Sequence, residues 1–269
     1  MTAGQRWAAE LAAWTIDPDI LAAAPESPYS FPPALFAADR SVQSPLIALA
    51  AQALPPGGSV LDVGAGAGAA SLPLTPGHLH AVDTQPSMLS ALARDAATAG
   101  VTVTTYDGEW PSIADRVPVC DVVVCAHVAY NVPDLAAFAR ALTSHARVLV
   151  VMELHHEHPW VPLGPLWLAV HQQSRPDGPT AALAVKVLAE AGIVADVTEW
   201  LRPALDLTGE LFPAYVDFTR RRLCLPADRT DEVAALVRRH PHRSRRSVVL
   251  SWKSPEPRPG GLAGLVTGE

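Results

Sequence analysis

A β-branched run that ends in three alternating glycines, Ser59-Val-Leu-Asp-Val-Gly-Ala-Gly-Ala-Gly68, constrains this chain more than any other stretch. Val60, Leu61 and Val63 read as a buried strand, and Gly64, Gly66 and Gly68 as a turn whose bare backbone lets a nucleotide-like ligand lie close. A second run, Leu79 to Val82, ends at Asp83, nineteen residues after Gly64. A carboxylate at that spacing stands at the tip of the next strand, where it meets ribose hydroxyls. Two strands, one crossover helix and one carboxylate make a cofactor site. Gly64-x-Gly66-x-x-Ala69 also satisfies the permissive dinucleotide fingerprint, so a nicotinamide or flavin enzyme fits this stretch taken alone.

The landmarks after Asp83 separate the two readings. Asp83-Thr-Gln-Pro-Ser-Met88-Leu89, Thr105-Tyr-Asp107-Gly-Glu-Trp110 and Asp121-Val-Val-Val-Cys-Ala-His127 follow one another in the order of the class I S-adenosylmethionine-dependent methyltransferases, which the chain resembles over residues 57 to 155. The resemblance implies S-adenosyl-L-methionine as methyl donor and S-adenosyl-L-homocysteine as product. Spacing and resemblance together give Gly64, Ala65 and Gly66 to the methionyl part of the cofactor, with Asp62 orienting the loop or the ammonium group. Asp83, with Thr84 beside it, takes the ribose hydroxyls. Met88 lies along the adenine face or packs in the core. Asp107 either matches the family position that binds the adenine amino group, with Gly108 and Glu109 supplying backbone contacts, or is a solvated loop aspartate. Arg40 either pairs with the cofactor carboxylate or is a plain surface arginine.

At 269 residues, 49% hydrophobic and 17% charged, the chain suits one domain with appendages. A net charge of -7 argues against a general nucleic-acid or membrane-surface protein. Cys120 and Cys125 share one predicted strand and cannot bridge each other, so the three cysteines read as buried thiols of a reduced, cytoplasmic protein. Met1 to Ile16 is no secretory signal, and no run reaches membrane-spanning length. The excess of Arg over Lys, with abundant Ala and Pro, looks like a GC-rich bacterial genome.

Residues 1–56 read as an N-terminal helical cap broken by Pro18, Pro25, Pro28, Pro32 and Pro33, with Gln43 to Leu54 its clearest helix. Strand and helix patterns then alternate through 57–254. Strands are expected near 59–63, 79–82, 102–106, 120–125 and 147–153, and helices near 67–74, 86–99 and 132–144. A helix capped by Thr180 runs to Ala191, and strands at 194–200 and 247–252 follow, with helices Glu210 to Leu223 and Asp231 to Arg239 inserted between them at about 205–240. Alternation of this kind means an α/β fold: a doubly wound, mostly parallel sheet with helices on both faces. In the resembled family the sheet has seven strands, the last antiparallel. Residues 255–269 are expected to form a mobile tail.

The transferable methyl is expected to face the ends of the fourth and fifth strands. Ala126 and His127 end the fourth, and Asn131 reads as the N-cap of the next helix. His127 either contacts the methionyl group, takes a proton from an acceptor hydroxyl or amine, or packs as a strand-end histidine. His155, with His156, His158, Glu153 and Glu157, lines the acceptor pocket, supplies a base, or is part of an ordinary histidine-containing loop; the spacing matches no closed zinc pattern, and no metal is expected. Trp160, Trp167 and His171 form an aromatic lid or pack in the core. Arg220 to Arg222 and the run Arg238 to Arg246 grip an acceptor anion, track a nucleic-acid backbone, or form solvated helix ends. The expected function is methyl transfer to an O or N atom of a small molecule, under a cover that includes Trp14, Phe31, Phe36, Phe212, Tyr215 and Phe218. Two readings compete: an RNA methyltransferase using residues 238–246, and a cofactor-binding protein without turnover. No Asn/Asp-Pro-Pro-aromatic tetrapeptide follows the fourth strand, which weighs against the first.

Overall fold

The computed structural model describes residues 1–30, 32, 35, 44–209 and 211–254. Arg40, Phe31, Phe36, Glu210 and the expected tail lie outside the described residues. At the centre stand seven strands: β1 (Ser59–Val63), β2 (His78–Asp83), β3 (Val103–Asp107), β4 (Cys120–Ala126), β5 (Ala146–His155), β6 (Asp196–Arg202) and β7 (Arg245–Lys253). Their order is β3-β2-β1-β4-β5-β7-β6. The β7 strand runs antiparallel to both neighbours, and the other pairs are parallel. Chain order reverses between β1 and β4, the switch point outside which open α/β sheets bind their ligands.

Alternating side chains send the two faces of each central strand into different cores. Leu61, Val63, Val123 and Met152 join Trp7, Phe138, Leu142, Val187 and Trp252, under α1 (Ala3–Ala12), α5 (Leu135–Ser144) and α7 (Ala181–Glu190). Val60, Leu79, Val122 and Val151 join Leu46, Ala50, Leu89 and Leu92, under α3 (Pro45–Ala53) and α4 (Pro86–Ala99). A third cluster contains Ile16, Leu166, Trp167, Val216, Leu223 and Leu236. It unites α2 (Pro18–Ala23), α6 (Gly164–His171), α8 (Leu211–Arg222) and α9 (Thr230–Arg239). The N-terminal segment is thus shared among all three clusters.

Several expected elements are corrected. No α-helix forms over 67–74; the stretch turns through a three-residue 3-10 helix, Leu72–Leu74. Gly64, Gly66 and Gly68 all have positive φ, Pro73 lacks a donor, and Thr75 is left-handed, so no run of helical residues can start. The helix expected over 132–144 begins at Leu135, capped by Asp134 accepting from the Ala137 N–H at 2.9 Å, while Asn131 closes a short 3-10 turn instead. Thr180 stands at the N-cap of α7, but its hydroxyl makes no capping bond. The two late strands begin and end differently from expectation: β6 ends at Arg202 and β7 starts at Arg245, which brings three arginines into the sheet. Among the described residues no helix is long and apolar enough to cross a membrane.

Candidate active site

The glycine turn follows β1 at the switch point. Its N–H groups at Gly64 and Ala65 both bond the Val82 carbonyl, at 2.8 and 2.9 Å, which ties the turn to β2. The three glycines serve different ends. A Cβ on Gly64 would lie 2.2 Å from Val128 Cγ2, so this glycine makes room for the chain after β4. Gly68 is packed in the same way by Leu72 and Leu92. Gly66, with φ +52°, faces nothing within 4 Å, and is the one with free space before it. Ala65 beside it is buried.

Two carboxylates flank the turn. Asp83 Oδ2 accepts from the Gly66 N–H at 2.8 Å and Oδ1 from the Gln85 N–H at 2.9 Å, so this side chain shapes the turn as well as standing at the tip of β2. Each oxygen keeps a second acceptor site. Asp62 is 1% exposed, and neither of its oxygens has a hydrogen-bond partner. Burial pushes its carboxyl up to about 7; the Ser71 hydroxyl acts the other way, and Asp83 adds to the rise.

The tips of β2 and β3 carry the next residues. Asp83 lies opposite Asp107 in register, and the Gly108 N–H bonds the Asp83 carbonyl at 3.1 Å. Thr84, Asp107 and Glu109 are exposed, and Met88 is buried near the start of α4. Gly108 is held at φ +150° with Ile113 beneath it.

At the ends of β4 to β7 a second group gathers. His127 has φ 61°, and its N–H bonds the Glu153 carbonyl at 2.7 Å. Its Nε2 lies 2.7 Å from Arg202 Nη1 and 3.4 Å from Glu153 Oε1, and its buried Nδ1 has no partner. Glu153 is 2% exposed. Its Oε2 accepts from the Ser44 hydroxyl at 2.6 Å and its Oε1 from Arg202 Nη1 at 3.5 Å. Burial alone would raise this carboxyl, but His127, Ser44 and Arg202 hold it below the usual range. His155 stacks on His127 with centroids 4.4 Å apart, and its Nδ1 lies 3.1 Å from Ser247 Oγ. Burial, with the charges of His127, Arg245 and Arg202 around it, keeps this imidazole far below its ordinary range and neutral. Tyr130 donates to the His155 carbonyl at 2.7 Å.

The other histidines go elsewhere. His158 is buried against Trp14, rings 4.0 Å apart, and burial with Arg175 lowers it to about 3. Glu157 is exposed. Among the described residues no three of His, Cys, Asp and Glu gather where they would hold a metal ion. Trp167 and His171 lie inside the helical cluster, the ring of His171 bonding the Leu223 carbonyl at 2.8 Å, and Trp160 stacks on Tyr29. Arg220 and Arg222 are each 3% exposed and not a solvated helix end. Arg220 is held by Glu26, Asp217 and the Leu225 carbonyl, and Arg222 lies over Trp160 and Phe218. Sequence reasoning missed Arg202 and Ser44; a strand boundary two residues later would have exposed the first, but nothing local marks the second.

A mostly parallel sheet with one antiparallel late strand and a glycine turn at its switch point defines the class I methyltransferase architecture. Residues 60–151 match the methyltransferase domain family. Solved structures share the fold. They include the YcgJ protein of Bacillus subtilis (16% identity, TM-score 0.53, covering 79% of this chain and 99% of that one). Magnesium protoporphyrin IX methyltransferase of Synechocystis, solved with bound S-adenosylhomocysteine, is another (16%, TM-score 0.52, 80% and 82%). A sarcosine dimethylglycine methyltransferase homologue from Galdieria sulphuraria is similar too (15%, TM-score 0.51, 77% and 82%). No curated protein sequence matches the chain. Residues 60–151 thus carry a methyltransferase domain, and the sheet around it has the class I S-adenosylmethionine-dependent methyltransferase fold, whose methyl donor is S-adenosyl-L-methionine. The short 3-10 turn after the glycines does not supply the helix N-terminus on which the dinucleotide fold seats its pyrophosphate.

Proposed function

We propose that the protein methylates an O or N atom of a small molecule, with the donor on the β1–β3 side of the switch point and the acceptor at the ends of β4 and β5. The observation that carries this reading is the free space before Gly66 next to Asp83, one strand away from the His127–Glu153 pair. When bound, S-adenosylmethionine supplies a methyl group already activated on a sulfonium. The orphaned carboxylate of Asp62 fits an ammonium group, Gly64, Ala65 and Gly66 present backbone to the methionyl part, and Asp83 with Thr84 takes ribose hydroxyls. Met88, Asp107, Gly108 and Glu109 surround the adenine, and Ala126 and His127 stand at the methionyl end.

The remaining task is to hold the acceptor in line, exclude water and take up a proton. His127 suits the last of these. Once Arg202 releases Nε2, an Nε2–H turned to Glu153 Oε1 leaves Nδ1 as the proton acceptor, and the carboxylate stabilises the imidazolium that forms. While Arg202 donates to Nε2, the proton sits on Nδ1 and the ring is a donor. His155, kept neutral, positions His127 by stacking. The helices α2, α6, α8 and α9 form the cover, with Trp160, Tyr215 and Phe218 on it. Calorimetry with S-adenosylhomocysteine and with NAD tests the donor half: micromolar binding of the first and negligible binding of the second are expected. Release of S-adenosylhomocysteine on addition of small hydroxy and amino compounds tests the acceptor half; release only with RNA would refute it.

A further inference from the structure

The run Arg238 to Arg246 holds five arginines and two histidines without one acid, in a chain of net charge -7. In the fold it lines a cleft of about 530 Å³ between the start of β7 and the helices α6, α8 and α9. Arg239, Arg243, Arg245 and His242 face it together with Tyr215, and Glu157 is the one acid in its wall. Arg246 also lines it, but pairs with Glu199 at 2.5 Å.

Among the described residues the other arginines of the cleft form no ion pair. Arg245 is half-buried, and among the described residues its guanidinium donates only to main chain, the Pro159 carbonyl at 3.2 Å and the His158 carbonyl at 3.5 Å. Arg239 and Arg243 have no ion pair among the described residues. In register Arg245 stands directly opposite Arg202. Like charges facing each other across two strands repel, and the exposed Glu157 acts on Arg245 through its charge but forms no ion pair with it, so the half-buried cation is only partly compensated. The crowding also shows in His242, which burial and the charges of Arg245 and Arg202 hold below the usual imidazole range. An anion from outside relieves every one of these contacts. Guanidinium groups arriving from a helix end, a loop and a strand suit a tetrahedral oxyanion, whereas a carboxylate is satisfied by one fork.

We propose that this cleft binds a phosphate-type oxyanion carried by the methyl acceptor. The inference rests on the methyltransferase reading above. Arg202 links the cleft to the chemistry, since the same side chain faces Arg245 across the strands and reaches His127. The cleft's size suits a small phosphorylated compound, not a polymer.

Calorimetric titration of the full chain with sodium pyrophosphate, with and without saturating S-adenosylhomocysteine, tests it. The unaltered protein is expected to bind pyrophosphate, and Arg245→Gln to weaken binding about ten- to a hundredfold. Because Arg245 also holds two carbonyls, the double variant Arg239→Gln/Arg243→Gln, at exposed positions, is the safer partner and is expected to behave alike. Arg238→Gln removes the same charge outside the cleft, where the guanidinium lies 4.9 Å over Phe212, and is expected to change affinity less than about twofold. No pyrophosphate binding by a protein that still binds S-adenosylhomocysteine overturns the inference alone. Pyrophosphate binding without any S-adenosylhomocysteine binding overturns the acceptor assignment together with the methyltransferase reading. Equal losses in Arg238→Gln and the cleft variants overturn it in favour of a diffuse basic surface. So does a mixed-sequence single-stranded RNA that binds more tightly than pyrophosphate and loses affinity equally in all three.

Discussion

The two halves of the sheet's C-terminal edge are built by opposite means. On the β1–β3 side the work falls to backbone: a glycine turn pinned by Asp83 over a spacing of 17 residues, with Asp62 buried beneath. On the β4–β7 side it falls to side chains drawn from far apart, His127 meeting Arg202 across 75 positions and Ser44 meeting Glu153 across 109. The first is a local device that any chain with that turn carries. The second exists only once four strands and the start of α3 are in place, and it is where one methyltransferase differs from another.

Substitutions can break this contrast, and the largest effect belongs to the side-chain half. His127→Ala is expected to lower turnover by about 10²–10⁴ while affinity for S-adenosylhomocysteine stays within about threefold. Steady-state kinetics beside calorimetry would show it, and the reverse pattern would move His127 to the donor half. Next come the two glycines. Gly64→Ala sets a Cβ 2.2 Å from Val128 at positive φ and is expected to cost about 3 kcal/mol of stability in a thermal melt. Gly66→Ala meets no atom and costs about 1–2 kcal/mol, yet loses more cofactor affinity. Equal behaviour of the pair would dissolve the distinction between a packing glycine and a ligand glycine.

Asp83→Ala is expected to weaken S-adenosylhomocysteine about ten- to a hundredfold. It should also lower the melting temperature, because the Gly66 and Gln85 amides lose their acceptor. Unchanged affinity in a folded variant would take Asp83 out of the ribose site. The smallest effect is a pH dependence from Asp62. Its folded value of about 7 lies above the ordinary 3.8, so its contribution to stability is full below about 4 and is lost as pH rises towards 7. An ammonium ligand favours the ionised form, so affinity is expected to fall about tenfold per unit as pH drops below 7. Asp62→Asn should flatten both profiles; a dependence that survives in the variant would assign it to another group.

The same contrast explains what the sequence made legible. The strands β1, β2, β4 and β5 are readable because each has a buried apolar run bounded by turn residues, the exposed edge strand β3 reads from its β-branched and aromatic residues, and the glycine turn carries its own spacing. The absent helix after that turn was not, since apolar residues at 70–74 look helical until Gly68 and Pro73 are weighed against them. The end of β6 was missed because this edge strand is largely exposed and has no sharp change of pattern at Trp200. That shift hid Arg202. Burial of Arg220 and Arg222 was hidden for a different reason: their partners Glu26 and Trp160 lie far away in sequence, and basic residues at a helix end read by default as solvated.

The first helix has a mechanical reach beyond its length. Trp7 stacks on Tyr130 at 5.4 Å and bonds the Val132 carbonyl at 2.8 Å, while Tyr130 grips the backbone of His155, whose ring lies on His127. Trimming the first dozen residues would therefore open a void beside His127 and Glu153, so under the proposed mechanism a shortened chain is expected to keep its donor and lose its rate. Attachments meant to leave the enzyme untouched belong elsewhere than on this helix.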